Sequence, residues 1–173
     1  MSTLILSHVT IGAVDVEAAM RFYLDLLGPD HVELLPSPNL GGPTVKVIWL
    51  RLGPVQLHIG QRPQNQRDEK DHFGIGVSSS DLFHQIFRKA RDGGFLQPRP
   101  FGHYIYELPG GDVQLYVKDP AGNTLEIDYP YARDLDRTLI TDLRLLSEKW
   151  PQDERALQSS LFESPLGSTV RAE

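Results

Sequence analysis

The sequence predicts an α+β protein built from two copies of a strand–helix–strands unit, followed by a helical tail. Three observations predict it. Short runs alternate apolar and polar residues with a period of two, two longer runs carry apolar residues at helical spacing, and the order of these runs repeats. The 173 residues suit one domain with a core of its own.

The first copy opens with a strand over Leu4 to Ile11. Asp15 is the expected N-cap of a helix that runs to about Leu27. Val16, Ala19, Met20, Tyr23, Leu26 and Leu27 form its apolar stripe, and Gly28-Pro29 ends it. Residues 30–43 are broken by Pro36, Pro38, Gly41, Gly42 and Pro43, so no element is expected there. Two strands follow, Val45 to Leu52 and Val55 to Ile59, and the polar stretch from Gln61 to Asp71 reads as a linker.

The second copy repeats the order. Asp71 to Val77 is a strand, and Ser79 or Ser80 caps a helix whose stripe is Leu82, Phe83, Ile86, Phe87 and Ala90. Gly93-Gly94 ends that helix. Strands are expected near Tyr104–Leu108, Val113–Val117 and Thr124–Tyr129. An amphipathic helix is expected near Leu135–Trp150, with an apolar stripe of Leu135, Leu139, Leu143, Leu146 and Trp150. The organisation is therefore one domain over 1–131, with modules at 4–60 and 70–130, and a C-terminal helical extension over 132–173.

Composition excludes several classes. Hydrophobic residues make up 40% and charged residues 23%, the balance of an ordinary globular protein. A net charge of -6 argues against nucleic acid as a partner, because phosphate binding needs Lys and Arg patches. No apolar run reaches the length of a membrane span. With no cysteine, disulfides, thiolate metal sites and Cys nucleophiles are excluded. No secretory signal is visible, so a cytoplasmic protein is expected.

The repeat places chemistry-bearing residues together. HVTIGAVDVEAAMRFYLDLLG sits beside HFGIGVSSSDLFHQIFRKARDGG, and PVQLH beside TLEID. His8 and His72 thus open their copies at the same place, and Gln56 and Glu126 close them. Strand parity gives a second test, since alternate residues face opposite ways. His8 and Thr10 oppose Val9 and Ile11; His72, Gly74 and Gly76 oppose Phe73, Ile75 and Val77; Glu126 and Asp128 oppose Leu125 and Ile127. The apolar faces meet the helices, and the polar faces line one concave surface. Two imidazoles and one carboxylate with open positions suit a catalytic Fe(II), Zn(II), Mn(II) or Ni(II). Gln56 or His58 is a candidate fourth contact.

These residues resemble the vicinal oxygen chelate superfamily, which includes glyoxalase I, bleomycin-binding proteins, fosfomycin-resistance transferases and type I extradiol dioxygenases. The marks are His8 in SHVTIGAVD, the helix AAMRFYLDLLG, His72 in DHFGIGV, and KDPAGNTLEI ending in Glu126. They cover residues 4–130, and the tail lies outside them. The resemblance implies two βαβββ modules forming a cupped eight-stranded mixed sheet around one divalent metal, Fe(II) in the dioxygenases and Zn, Mn, Ni or Co in relatives. It also implies a homodimer.

One segment resembles the extradiol dioxygenases in particular. LYVKDPAGNTLEIDY is similar to their Tyr-x-x-Asp-Pro-x-Gly stretch, and Tyr116 takes the place of a tyrosine that hydrogen-bonds catechol. His103 resembles their substrate-contacting loop histidine, and His58 is the candidate for acid–base work. The chain departs from them at Gly53-Pro54, where those enzymes carry a His-His pair. The expected activity is extradiol-type ring cleavage of a catechol. A glyoxalase-like lyase or isomerase, with Gln56 as a fourth metal ligand, is the alternative, and a metal-free binding (resistance) protein is the third reading.

Overall fold

The computed structural model describes residues 7–37, 46–62, 71–98, 101–154, 157 and 161–162. The chain forms two compact units, Met1–Asp71 with Lys118–Asn123, and His72–Val117 with Thr124–Glu173.

The first unit runs β1 (His8–Ala13), α1 (Val16–Leu27), β2 (Val32–Leu35), β3 (Val47–Leu52) and β4 (Val55–Gln61). Asp15 caps α1, its Oδ1 accepting from Ala18 N at 2.9 Å. Gly28, at φ 94°, ends the helix in a conformation that a side chain would oppose. The sheet order is β1-β4-β3-β2, with β1 parallel to β4 and the other pairs antiparallel. Ala19, Tyr23 and Leu26 of α1 are buried on the sheet face that carries Ile11, Leu50, Leu57 and Ile59. The segment expected to be featureless contains β2. Its four residues, VELL, are too few for a period to register, and its pairing with β3 makes it a strand.

The Lys118–Asn123 loop completes this unit. Tyr23 OH donates to Asp119 Oδ2 at 3.0 Å, and Asn123 Nδ2 donates to Asp119 Oδ2 at 2.7 Å and to Gly12 O at 3.1 Å. Asn123 N also donates to Asp119 Oδ1 at 2.7 Å.

The second unit runs β5 (His72–Gly76), α2 (Ser80–Asp92), β6 (Ile105–Glu107), β7 (Val113–Lys118), β8 (Thr124–Tyr129), β9 (Arg144–Leu145) and α3 (Leu146–Lys149). Ser79 is the α2 cap, and its Oγ accepts from Leu82 N. The sheet order is β5-β8-β7-β6-β9, with β5 parallel to β8. α2 packs on β8, where Phe83 meets Tyr129 with ring centroids 5.7 Å apart. This assigns Leu125, Ile127 and Tyr129 to the helix face of the sheet and leaves Glu126 and Asp128 on the other.

The tail departs from the helix expected near Leu135–Trp150. A single 3-10 turn, Ala132–Asp134, is followed by turns, and only Leu146–Lys149 is α-helical. Local side-chain bonds compete with the helix. Asp136 Oδ1 accepts from Thr138 N and Oγ1, and Asp136 N donates to His84 Nε2. Tyr104 OH donates to Asp142 Oδ2. The chain then adds β9 to the free edge of β6, pairing Arg144 with Tyr106 and Leu145 with Glu107. The apolar stripe was present in the sequence, and edge pairing won the backbone.

No helix among the described residues is long and apolar enough to cross a membrane.

Candidate functional site

In the first unit, β1 turns His8 and Thr10 away from α1, and β4 turns Gln56 and His58 the same way. The parallel register sets His8 opposite Gln56 and Thr10 opposite His58. The His58 ring is stacked between Trp49, at 4.2 Å and 7° between planes, and His8, at 4.5 Å and 15°. Its Nε2 lies 2.9 Å from Gln56 Oε1. Burial first, and the neighbouring His8 second, hold His58 below its ordinary range, so the ring is neutral at pH 7. Ser7 Oγ lies 3.0 Å from His8 Nδ1.

In the second unit, the parallel register sets Gly74 opposite Glu126 and Gly76 opposite Asp128. His72 Nε2 lies 3.2 Å from Glu126 Oε2. Gln114, on β7, donates its Nε2 to the other carboxylate oxygen, Oε1, at 2.7 Å. Glu126 is buried, yet no hydrogen bond reaches Oε2. Glycine at 74 keeps this corner open, since a Cβ there would come within 2.9 Å of Asp128 Oδ2. Burial first, and then the charge of Glu126, push the Asp128 carboxyl well above its ordinary range.

Tyr116 is buried on the same face as Gln114. Its ring stands edge-on to His72, with centroids 5.8 Å apart at 89°, and 5.1 Å from Phe101. Burial and then Glu126 push its hydroxyl far above the ordinary tyrosine range, so it keeps its proton. His103 is also buried, with Nε2 2.7 Å from Asp142 O and its ring 4.5 Å from that of Tyr104.

The structure thus groups His8, Gln56 and His58 on one sheet, and His72, Tyr116 and Glu126 on the other. His103 sits against the tail. Among the described residues, no group of three or more His, Cys, Asp or Glu side chains is gathered to hold a metal ion. The residues of the second unit nonetheless fit a divalent cation. A buried carboxylate oxygen without a hydrogen bond, beside an imidazole nitrogen and with its partner oxygen fixed by an amide, is half of a ligand set.

Gln114, Phe101 and Trp49 belong to these groups and were not singled out in the sequence. Parity could have found Gln114, which alternates with Tyr116 on one strand. Phe101 lies in a Pro- and Gly-rich loop, where no periodicity operates.

The model of the Glyoxalase/Bleomycin resistance protein/Dioxygenase superfamily matches residues 5–127. The chain belongs to this superfamily. Among curated proteins, no sequence matches closely enough to count as a relative.

Solved structures of similar fold include Oxidase ChaP-H2, at 29% identity and TM-score 0.57, covering 75% of this chain and 97% of that one. A lactoylglutathione lyase from Agrobacterium tumefaciens aligns at 18% identity and TM-score 0.54, over 78% of this chain and 98% of that one. The fosfomycin resistance protein FosX from Listeria monocytogenes, solved with Mn(II) and sulfate, aligns at 12% and 0.55, over 75% of this chain and 93% of that one. The superfamily thus spans vicinal oxygen chelate enzymes and resistance proteins, with a divalent metal in FosX.

Proposed function

We propose that the protein is an Fe(II)-dependent dioxygenase that opens the ring of a catechol by extradiol-type cleavage. His8, His72 and Glu126 would hold the iron, with His58 or Gln56 as the candidate for a fourth position. When bound, the metal supplies Lewis acidity that lowers the pKa of a catechol hydroxyl.

The chain's own residues supply the rest. Gln114 fixes Glu126 through Oε1, which leaves Oε2 on the His72 side. Tyr116 keeps its proton and can therefore donate a hydrogen bond to a substrate oxygen. His58, neutral at pH 7, is able to take a proton from a catechol hydroxyl. Phe101 and Tyr116 offer aromatic surface to a planar ring. His103 is a positioning residue, tying the loop that carries Phe101 to the tail at Asp142. The active form is a homodimer in the cytoplasm; light scattering tests the dimer and cell fractionation tests the location.

The observation that carries this reading is the protonated, buried Tyr116 set edge-on to His72 beside Glu126. Similarity to a protein described as an oxidase supports it further. The test is elemental analysis of protein purified without chelator, joined to oxygen uptake with catechol. About one equivalent of iron, lost in His72→Ala, with oxygen consumed, is expected. One equivalent of zinc, nickel or manganese and no oxygen uptake selects the glyoxalase-like lyase instead. No metal after reconstitution overturns both and leaves the binding protein.

A further inference from the structure

We propose that Phe162, from the C-terminal segment, is a specificity-determining wall of this site, closing the Asp128 end of the polar face of the second sheet to bulky substrates. The proposal rests on the functional reading above.

Gly76 shares its face of β5 with His72 and Gly74, because residues two apart on a strand point the same way. A Cβ built on Gly76 would point onto that face and come within 3.1 Å of Phe162 Cε1 and 3.6 Å of Cζ. The Phe162 ring therefore rests on the backbone of Gly76, on the side of the sheet that carries the candidate ligands. Gly76 is opposite Asp128, and Gly74 opposite Glu126. The ring thus stands one strand pair beyond Glu126, roughly 7 Å along the sheet at about 3.3 Å per residue.

The contact is anchored. Phe162 is 4% exposed, while its neighbour Leu161 is 39% exposed. Leu161 N donates to Asp112 Oδ2 at 2.7 Å, and Asp112 is fully buried. Asp112 precedes β7 and has the parity of Gln114 and Tyr116. The tail is therefore pinned beside the strand that carries the rest of the site.

Glycine is what admits the ring, and the first unit uses the same position in a comparable way. Gly12 stands four residues past His8, as Gly76 stands four past His72, and Arg62 Cδ lies 2.7 Å from the Cβ that Gly12 lacks. The second unit fills this place with an aromatic side chain from the far end of the sequence. A catechol whose ring lies between Glu126 and Phe162 would have room for small substituents at that end, and an aryl substituent would meet the phenyl ring.

The experiment compares wild type, Phe162→Leu and Phe162→Ala, each iron-loaded and anaerobic, for binding of catechol and of 2,3-dihydroxybiphenyl. The expected result is a preference for the biphenyl diol that rises at least tenfold in Phe162→Ala and by less in Phe162→Leu, with iron content unchanged. An unchanged preference, with thermal unfolding intact in either variant, overturns the proposal. Parallel loss of both diols in both variants also overturns it, since it marks a structural role. If wild type holds metal but binds neither diol, the catechol reading fails by itself. The wall is then read from metal extraction by EDTA: faster loss in Phe162→Ala sustains it, and equal rates overturn it. If no metal binds, both fall.

Discussion

Replacing Asn123 by alanine tests how the Lys118–Asn123 loop is held in the first unit. Asn123 is 1% exposed, and its amide makes two bonds, one to the Asp119 carboxylate and one to the Gly12 carbonyl. A hydrogen bond to a charged group contributes about 1.5–3 kcal/mol, and one to a neutral carbonyl about 0.5–1.5 kcal/mol. Together they predict a loss of about 2–4.5 kcal/mol. With a urea slope of about 1–3 kcal/mol/M, the midpoint falls by on the order of 1 M.

The pH dependence follows from Asp119. Burial raises its carboxyl above the ordinary range, and the bonds from Asn123 and Tyr23 pull it back. Deleting the Asn123 amide therefore raises it further. A folded pKa above the unfolded one means that the folded state binds the proton more tightly, so stability falls as pH rises through the window between them. The penalty of Asn123→Ala is thus largest near pH 7.5, where the carboxylate is charged, and shrinks as pH falls through the raised value. Urea unfolding at pH 7.5 and at pH 4.5 measures both effects. A loss below about 0.5 kcal/mol, or one equal at the two pH values, refutes the reasoning.

Gln114→Ala should weaken metal affinity about 10- to 100-fold, because the Glu126 carboxylate loses the amide that orients it; competition with a fluorescent chelator reads this. Tyr116→Phe removes only a hydroxyl and should lower kcat/KM for catechol by about tenfold, the loss of one substrate hydrogen bond, with iron content unchanged. Tyr104→Phe tests the tail. The Tyr104 hydroxyl, pushed up to about 12 by burial and by Asp142, holds the Asp142 carboxyl below its ordinary range. A depressed carboxyl contributes stability above its unfolded pKa that is lost as pH falls through the folded value. The variant should therefore show a weaker decline of unfolding temperature in acid, and an unchanged decline would count against the tie.

Most of the fold was legible wherever a period was long enough to read. The stripes of α1 and α2, the cap Asp15, and the alternation of β8 follow from the spacing of apolar residues, while the choice of Ser79 over Ser80 as the α2 cap needed the structure. β2 escaped because four residues carry two periods at most. The tail escaped for the opposite reason, since its stripe is regular and the partners it found, local side-chain bonds and the edge of β6, decide against the helix. In the site, parity separated the polar face from the helix face on every strand that bears a candidate residue. It could not reach Phe101 or Phe162, which lie outside any strand and are brought to β5 by the chain's return.

Parity has one further blind spot, and the register exposes it. Setting PVQLH beside TLEID matches Gln56 with Glu126. In the ladders, however, His8 is opposite Gln56 and His72 is opposite Thr124, so the partner of Glu126 in the repeat is His58. A slip of two residues keeps every side chain on its face, so no periodicity argument detects it; only backbone pairing does. Within the proposed site, the first unit then offers neutral imidazole where the second offers a carboxylate, and a His8, His72, Glu126 set carries one formal negative charge whether or not His58 joins it. Register predicts that His58→Glu, which copies the second unit's pattern, tightens divalent metal binding, while Gln56→Glu, one pair nearer the start of β1, does so far less. Chelator competition on the two variants decides it. An equal gain in both, or a larger one in Gln56→Glu, would mean that the fourth position follows the sequence match and not the ladder.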